Sequence, residues 1–275
     1  MRTIIVFNDN SAEAGNATEF ALNIAKKVKA DILILNLVRQ SQPKPSKTLA
    51  AIGGYTSEIN TDASETPDRL LGDIESGDYN PSISDIDATT FSEKEICELV
   101  IRKNIWLMIK GIETHVTHEL LCNIDVQSVL NHVGCPLLLI PNNYKKINFE
   151  NIAYAVDMRY CRTAVLKFLI ELANAYQANL VVEHLSAKGL PPLDDSYALS
   201  LFDDEIANRS ACDNIYFNNI KERNMNVAIG TIINSLHVDL LALVNHRFHF
   251  EEIFGRVIKN CLPEHIPVPV IVFPL

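Results

Sequence analysis

Two stretches of the chain decide its fold. Residues 3–37 read TIIVFNDNSAEAGNATEFALNIAKKVKADILILNL, and residues 151–185 read NIAYAVDMRYCRTAVLKFLIELANAYQANLVVEHL. They align without a gap, and each opens with a short apolar run that is followed by an aspartate, Asp9 in the first and Asp157 in the second. Self-similarity on this scale predicts two copies of one folding unit.

Each aspartate is followed by a stripe of apolar residues with helical spacing. The stripes step by three and four residues, as expected of a helix that buries one face against a sheet. Their members are Ala17, Phe20, Ala21, Ile24, Ala25 and Val28 in the first copy, and Val165, Phe168, Leu169, Leu172, Ala173 and Tyr176 in the second. A second apolar run follows each stripe, so each copy is predicted to begin as strand, helix, strand.

The two copies also end alike. Residues 135–141 read CPLLLIP, and residues 268–274 read VPVIVFP. Proline is tolerated at the first residue of a strand and beyond its end, so each sequence predicts a short closing strand. A further apolar run precedes each closing strand, at 105–109 and at 240–244.

Continuous apolar runs are typical of strands that are buried on both faces, and helices between them imply parallel βαβ units. We therefore predict an α/β fold with two Rossmann-like domains, each a five-stranded parallel sheet with helices on both faces. The domains are predicted at 1–143 and 147–275, joined by a short polar linker. The predicted strands lie at 3–8, 32–38, 81–87, 105–109 and 136–140 in the first copy and at 151–156, 180–185, 214–220, 239–244 and 269–273 in the second.

Composition excludes several classes of partner. The formal net charge is -10 and the pI is near 5.3, so on average neither a nucleic-acid backbone nor an anionic membrane would be attracted. No apolar run is long enough to cross a bilayer. The six cysteines form no CxxC pair, which is typical of reduced structural thiols in a cytoplasmic protein.

The order and spacing of these pieces resemble the universal stress protein family, and in particular its tandem two-domain members. The resemblance rests on the opening strand with its aspartate, the helix that ends in Ala-Asp or Ala-Asn, the EHL at 183–185 and the VGCP at 133–136. It implies an adenine nucleotide alpha hydrolase-like fold. Because members of the family dimerise through the last strand, it also implies that 136–140 and 269–273 pair antiparallel. The chain would then be an internal pseudo-dimer, either a compact monomer or part of a further homodimer.

Nucleotide-binding members of that family carry G-x-x-G-x(9)-G-[S/T] after the fourth strand, where bare backbone N–H groups hold the phosphates. The matching positions here are Lys110, Glu113, Asn123 and Ile124 in the first copy and Leu243, His246, Arg256 and Val257 in the second. None is a glycine, and neither final position has a hydroxyl. Gly111 and Gly255 each lie one residue away, so both cradles are incomplete and we expect weak ATP binding or none.

Sites in such sheets lie past the carboxyl ends of the strands, where both aspartates fall. We predict a small-ligand pocket from Asp9, Val38, Gly111, Asp157 and Gly255. Each aspartate could instead cap the helix that follows it, and both roles stay open at this point.

Two histidine pairs in corresponding loops suggest a metal site. His115 and His118, like His246 and His249, are spaced so that one helical face could hold both imidazoles. A closed zinc site needs four ligands, and no nearby cysteine or carboxylate pair has the expected spacing. We therefore expect solvated loop histidines and no metal, with zinc as the alternative. His184, on the second strand of the second copy, is expected to be a buried, hydrogen-bonded histidine.

The sequence thus favours a stress-response protein without catalytic residues and without a cofactor. Such a protein would be a non-enzymatic ligand-binding or signalling module, and its partner would be a small molecule or a protein. The alternative is an ATP- or AMP-binding universal stress protein that hydrolyses ATP slowly. A hydrolase would need a nucleophile or second acid beside Asp9 or Asp157, and no motif supplies one.

Overall fold

The computed structural model describes residues 1–38, 79–113, 126–187, 189–204, 214–245, 249–255 and 262–275. The strands are β1 (Arg2–Asn8), β2 (Ala30–Asn36), β3 (Ile83–Asp87), β4 (Leu107–Ile112), β5 (Leu137–Pro141), β6 (Asn151–Val156), β7 (Asn179–Leu185), β8 (Ile215–Ile220), β9 (Leu240–Val244) and β10 (Val270–Phe273). The helices are α1 (Ala12–Val28), α2 (Glu93–Arg102), α3 (Val126–His132), α4 (Thr163–Tyr176), α5 (Asp195–Phe202), α6 (Met225–Ser235) and α7 (Phe250–Phe254), with a 3-10 helix at Met158–Tyr160.

All ten strands form one sheet, in the order β3-β2-β1-β4-β5-β10-β9-β6-β7-β8. Within each half of the chain the strands are parallel, which confirms the predicted α/β fold class. The halves meet where β5 pairs antiparallel with β10, Leu139 lying opposite Val270 and Leu137 opposite Val272. This is the strand pairing that the resemblance to the universal stress protein family implies. The predicted domain bounds themselves stay a prediction.

The fourth strand differs from its predicted bounds. It was expected at 105–109 but runs over Leu107–Ile112. The Trp106 N–H donates to the Thr3 carbonyl, and the regular pairing with β1 begins one residue later. Gly111 therefore lies inside β4, paired with Ile140 of β5, and not in the loop that follows the strand.

Helices cover both faces of the sheet, and each face has one hydrophobic core that includes residues of both halves. One core contains the buried faces of α1 and α4. The other contains those of α2, α3, α6 and α7. All six residues of the first predicted stripe are buried, which confirms the helical pattern. None of the described helices is long and apolar enough to cross a membrane.

The second helical stripe does more than cover its own half. Phe168, which is only partly buried, stacks on Trp106 of the first half with ring centroids 4.4 Å apart. Arg2 pairs with Glu171 on the same helix. The Tyr176 hydroxyl donates to Asn23 Oδ1 on α1 at 2.7 Å. The halves therefore contact each other through helices α1 and α4 as well as through β5 and β10.

The linker between the two halves is fixed by hydrogen bonds from α1 at its start and by the loop before β9 at its end. Asn16 Nδ2 donates to the carbonyls of Pro141 and Tyr144, each at 3.3 Å. Asp239, which is buried, accepts from the Tyr144 hydroxyl and from the backbone N–H groups of Glu150 and Asn151. Its carboxylate also pairs with Lys146 Nζ at 2.9 Å. A single carboxylate thus satisfies four donors around the start of β6.

We predict that Asp239→Ala lowers the free energy of unfolding by about 2 kcal/mol, because the partly buried N–H groups of Glu150 and Asn151 lose their acceptor. Urea denaturation would measure the change. Glu150→Gln is the matched control: its side chain is 72% exposed in its pair with Lys146, and we expect a change within about 0.5 kcal/mol. Equal effects from the two variants would contradict the role of Asp239.

Candidate functional site

Asp157 stands where the open α/β sheet favours a binding site. It directly follows β6, at the carboxyl end of the half-sheet, and is 1% exposed. Its Oδ1 accepts from the backbone N–H and the Nε of Arg159 at 3.1 and 2.8 Å. Its Oδ2 accepts from Arg159 Nη2 at 2.6 Å and from the Ala187 N–H at 2.9 Å. Both carboxylate oxygens are therefore engaged by the protein itself.

The Arg159 guanidinium closes over this carboxylate in a two-pronged ion pair. The 3-10 helix at Met158–Tyr160 brings Arg159 back over the residue that starts it. A third guanidinium nitrogen, Nη1, donates to the Pro191 carbonyl at 3.1 Å. Burial by itself would raise the pKa of the Asp157 carboxyl, but the hydrogen bonds from Arg159 and Ala187 outweigh it and lower the pKa. Asp157 is accordingly a carboxylate with a fixed internal partner.

His184 packs against the same turn, from the end of β7. It is fully buried, and its Nδ1 accepts from the Met158 backbone N–H at 3.1 Å. A ring nitrogen that accepts carries no proton, so the neutral imidazole has its proton on Nε2. Nε2 lies 3.4 Å from Ser186 Oγ and donates toward it. His184 in this tautomer cannot take a proton from Ser186, so the pair is not a nucleophile with its base.

His249 is the second buried histidine of this region. Its Nε2 lies 2.9 Å from the Leu185 carbonyl, to which it donates. Burial is the main cause that lowers the pKa values of both His184 and His249, and nearby Asp157 only partly opposes it. Both imidazoles are therefore held neutral in the fold.

Glu183, next to His184 on β7, is a second buried acid. The strand's alternation turns it away from His184 to the other face of the sheet. It is 0% exposed, and its Oε1 accepts from Asn218 Nδ2 at 2.9 Å, while Oε2 has no hydrogen-bond partner among the described residues. Burial raises the pKa of the Glu183 carboxyl, and the bond from Asn218 only partly offsets this. The EHL motif thus places one acid and one histidine on opposite faces.

The aspartate of the first half, Asp9, has different burial and different hydrogen-bond partners. Asp9 is only half buried, and its Oδ1 accepts from the backbone N–H and the hydroxyl of Ser11. Ser11 in turn caps α1 by accepting from the Ala14 N–H at 3.1 Å. The cap of α1 is therefore Ser11, and Asp9 orients the cap. At the place of His184 the first half has Asn36, which accepts from Asn8 Nδ2 at 2.7 Å.

Gly111 allows β4 and α1 to approach closely. A Cβ at this position would lie 2.1 Å from the Glu13 carbonyl oxygen and 2.9 Å from the Ala14 nitrogen. Such contacts are forbidden, so no side chain fits here while α1 stays in place. The bare backbone of Gly111 thus faces the first turn of α1, and the sequence had assigned it only to a ligand pocket.

The other two residues of the predicted pocket, Val38 and Gly255, belong to different halves of the chain. Gly255 ends α7 with a φ of 78°, a conformation that favours glycine. Val38 follows β2 and is partly buried.

His115, His118 and His246 lie outside the described residues, so the proposed imidazole pairs cannot be placed. Within the described ranges, no group of three or more His, Cys, Asp or Glu side chains could hold a metal ion.

A cleft of about 1300 Å³ opens past the carboxyl ends of β7 and β8. Its walls carry the Asp195–Lys221 ion pair, at 2.7 Å, and the start of α6. The N-terminal amides of α6 are already used, because Asn224 Oδ1 accepts from the Asn226 and Val227 N–H groups. Further acidic side chains line the cleft, namely Asp194, Glu222, Glu251 and Glu252. An anionic phosphate would meet net negative charge there.

The parallel strands and the helices that cover both faces of the sheet define a Rossmann-like α/β protein. The model of the universal stress protein family matches residues 1–141, and the chain belongs to that family. The match covers β1 through β5 and their helices. No curated protein matches the chain.

Solved structures share the fold over the whole chain at low sequence identity. A universal stress protein from Archaeoglobus fulgidus DSM 4304 is 14% identical with a TM-score of 0.59, covering 99% of this chain and 98% of that one. A functionally unknown protein from Pseudomonas aeruginosa PAO1 is 15% identical with a TM-score of 0.61, covering 100% and 92%. The cytoplasmic domain of a prokaryotic cation chloride cotransporter is 11% identical with a TM-score of 0.54, covering 99% and 95%.

We predict that Gly111→Ala lowers the free energy of unfolding by about 2 kcal/mol or more, because the added methyl group forces α1 away from β4. Chemical denaturation would measure it. Gly134→Ala is the matched control, since a Cβ there meets nothing within 4 Å, and a change within about 0.5 kcal/mol is expected. A neutral Gly111→Ala would show that the close approach is dispensable.

The buried histidines predict a pH-dependent stability. Their folded pKa values lie below the unfolded value of about 6.5, so the unfolded chain binds more protons and stability falls as pH drops through that value. Between about pH 7.5 and pH 5.5 we expect the free energy of unfolding to fall, by at most about 1.4 kcal/mol for each buried histidine, since only the pH range below the unfolded pKa of about 6.5 contributes. His184→Asn, which puts the residue of the first half in its place, keeps an acceptor for Met158 and should reduce the slope. An unchanged slope would assign the effect to other groups.

Proposed function

We propose that the chain is a stress-response protein that works without catalysis, as two tandem universal stress protein domains at 1–143 and 147–275. It would act by binding a small ligand or a protein partner, and not by turning over a nucleotide. The pairing of β5 with β10 supports the further proposal that one chain is a pseudo-dimer of the two domains. The alternative is an ATP- or AMP-binding protein with slow hydrolysis.

The observation that carries the proposal is the closed state of Asp157. A carboxylate that receives a ligand in this kind of sheet needs free lone pairs, yet Arg159 and Ala187 occupy both oxygens. Displacing the guanidinium would leave a buried charge without its partner, which is costly. The second domain is therefore expected to be a filled, structural copy of the binding site.

The surroundings of Asp157 also favour a role without catalysis. The His184 tautomer set by Met158 keeps Nε2 protonated, so His184 is not a base for Ser186. The lowered pKa of Asp157 and its ion pair remove it as a general acid. These features support a second domain that stabilises the fold and offers surfaces to which a partner can bind.

The first domain is where a ligand would bind if either domain takes one. Asp9 is half buried, and its contacts are made with Ser11 and not with a guanidinium. No glycine stands at any position of the phosphate motif there, and Gly111 faces α1. A ligand without a triphosphate fits this arrangement better than ATP.

Thermal shift and calorimetry with ATP, AMP and cyclic AMP would test the proposal. A nucleotide at one hundred times its Kd would raise the free energy of unfolding by about 2.7 kcal/mol. We expect no such shift with ATP and no phosphate release. The variants Asp9→Ala and Asp157→Ala show which of the two domains is responsible for any shift. A strong ATP shift that Asp9→Ala abolishes would establish the alternative in the first domain, and a shift that Asp157→Ala abolishes would refute the closed second site.

A further inference from the structure

The outer side of β8 pairs with none of the described strands. In the described part of the chain, β8 ends the sheet on one side and β3 ends it on the other. The Leu180 N–H of β7 donates to the Asn214 carbonyl, so Asn214 faces β7. The alternation of a strand then points the N–H and C=O groups of Ile215, Phe217 and Asn219 away from β7.

The two sheet edges differ in charge. β3 reads ISDID, and its Asp85 and Asp87 are both exposed. Charged side chains on an edge are a common means of preventing one edge from pairing with another. β8 reads IYFNNI and has no charged residue and no proline. In a chain of net charge -10, β8 therefore brings no charged side chain of its own opposite a second copy of itself.

Apolar side chains flank the β8 edge on both faces of the sheet. Tyr216 is 50% exposed on one face. On the other face α5 packs on β8 through the stacked rings of Phe202 and Phe217, whose centroids are 5.0 Å apart. Two residues of α5, Tyr197 and Leu199, remain 54% and 47% exposed. β8 and the helix that packs on it therefore expose three large apolar side chains that a partner could cover.

We propose that β8 is a self-association edge, to which a second copy of the chain adds its own β8 in antiparallel pairing. A two-fold axis across two identical strands gives such a closed, self-complementary contact. It would pair the outward groups of Ile215, Phe217 and Asn219 and cover Tyr216 on both chains. Self-pairing of β3 would instead bring aspartates opposite one another, which is destabilising. The sheets of two chains thus become continuous through β8.

Sedimentation and light scattering of the full chain over a wide concentration range test this proposal. We expect a dimer in the wild-type protein. Tyr216→Lys, which places a charge on an exposed edge position, is expected to give a monomer whose circular dichroism spectrum matches that of the wild-type protein. Ser84→Lys is the matched control, because it puts the same charge on the exposed β3 edge, and it should leave the dimer intact.

Hydrogen exchange identifies the interface independently of any variant. The amides of Ile215, Phe217 and Asn219 are expected to be protected in the dimer and to lose protection on dilution. A dimer formed through another surface would leave them exchanging freely, which would overturn the proposal. A wild-type chain that is monomeric at every concentration would overturn it as well, and so would a folded Tyr216→Lys protein that stays a dimer.

Discussion

The antiparallel ladder between β5 and β10 is the constraint on which the rest of the structure depends. Each half of the chain ends its parallel sheet on a fully buried apolar strand, and such a strand cannot remain as an open edge in water. Pairing the two strands removes both edges and merges two half-sheets into one. The cores on both faces then extend across the junction, and α4 contacts the first half through Phe168 and Tyr176. The stability of either half is thereby coupled to that of the other.

The two strand-end aspartates have unequal surroundings. Asp9 supports the Ser11 cap of a helix that starts close behind it, whereas Asp157 is followed by a 3-10 turn that brings Arg159 onto its carboxylate. The difference follows from two residues: a serine after one aspartate shortens the connection to the helix, and an arginine after the other neutralises a buried charge. The first half therefore has a half-buried acid, and the second half has an acid that is paired internally with Arg159.

Much of the fold and a smaller part of the site could be predicted from the sequence. The ten strands and the first buried stripe follow from local periodicity, because burial against a sheet imposes a spacing that neighbouring residues share. The sequence also indicated that His184 is buried. It did not indicate the role of Gly111, since the clash with Glu13 arises between residues that are far apart in the chain. Nor did it indicate that Asp239 would accept hydrogen bonds from the linker region, because these residues are also far apart in the chain.

By itself the sequence determined the repeat, the α/β class and the absence of glycine from the positions that match the family's phosphate motif, all of which are properties of residue type and spacing. Only the tertiary structure decided which groups meet. It closed Arg159 over Asp157, set the protonated nitrogen of His184 through the Met158 N–H, and left β8 as the uncharged outer strand. The physical reason is that periodicity reports which face of an element is buried. The direction of a hydrogen bond depends on distances of a few ångströms that only the folded backbone fixes.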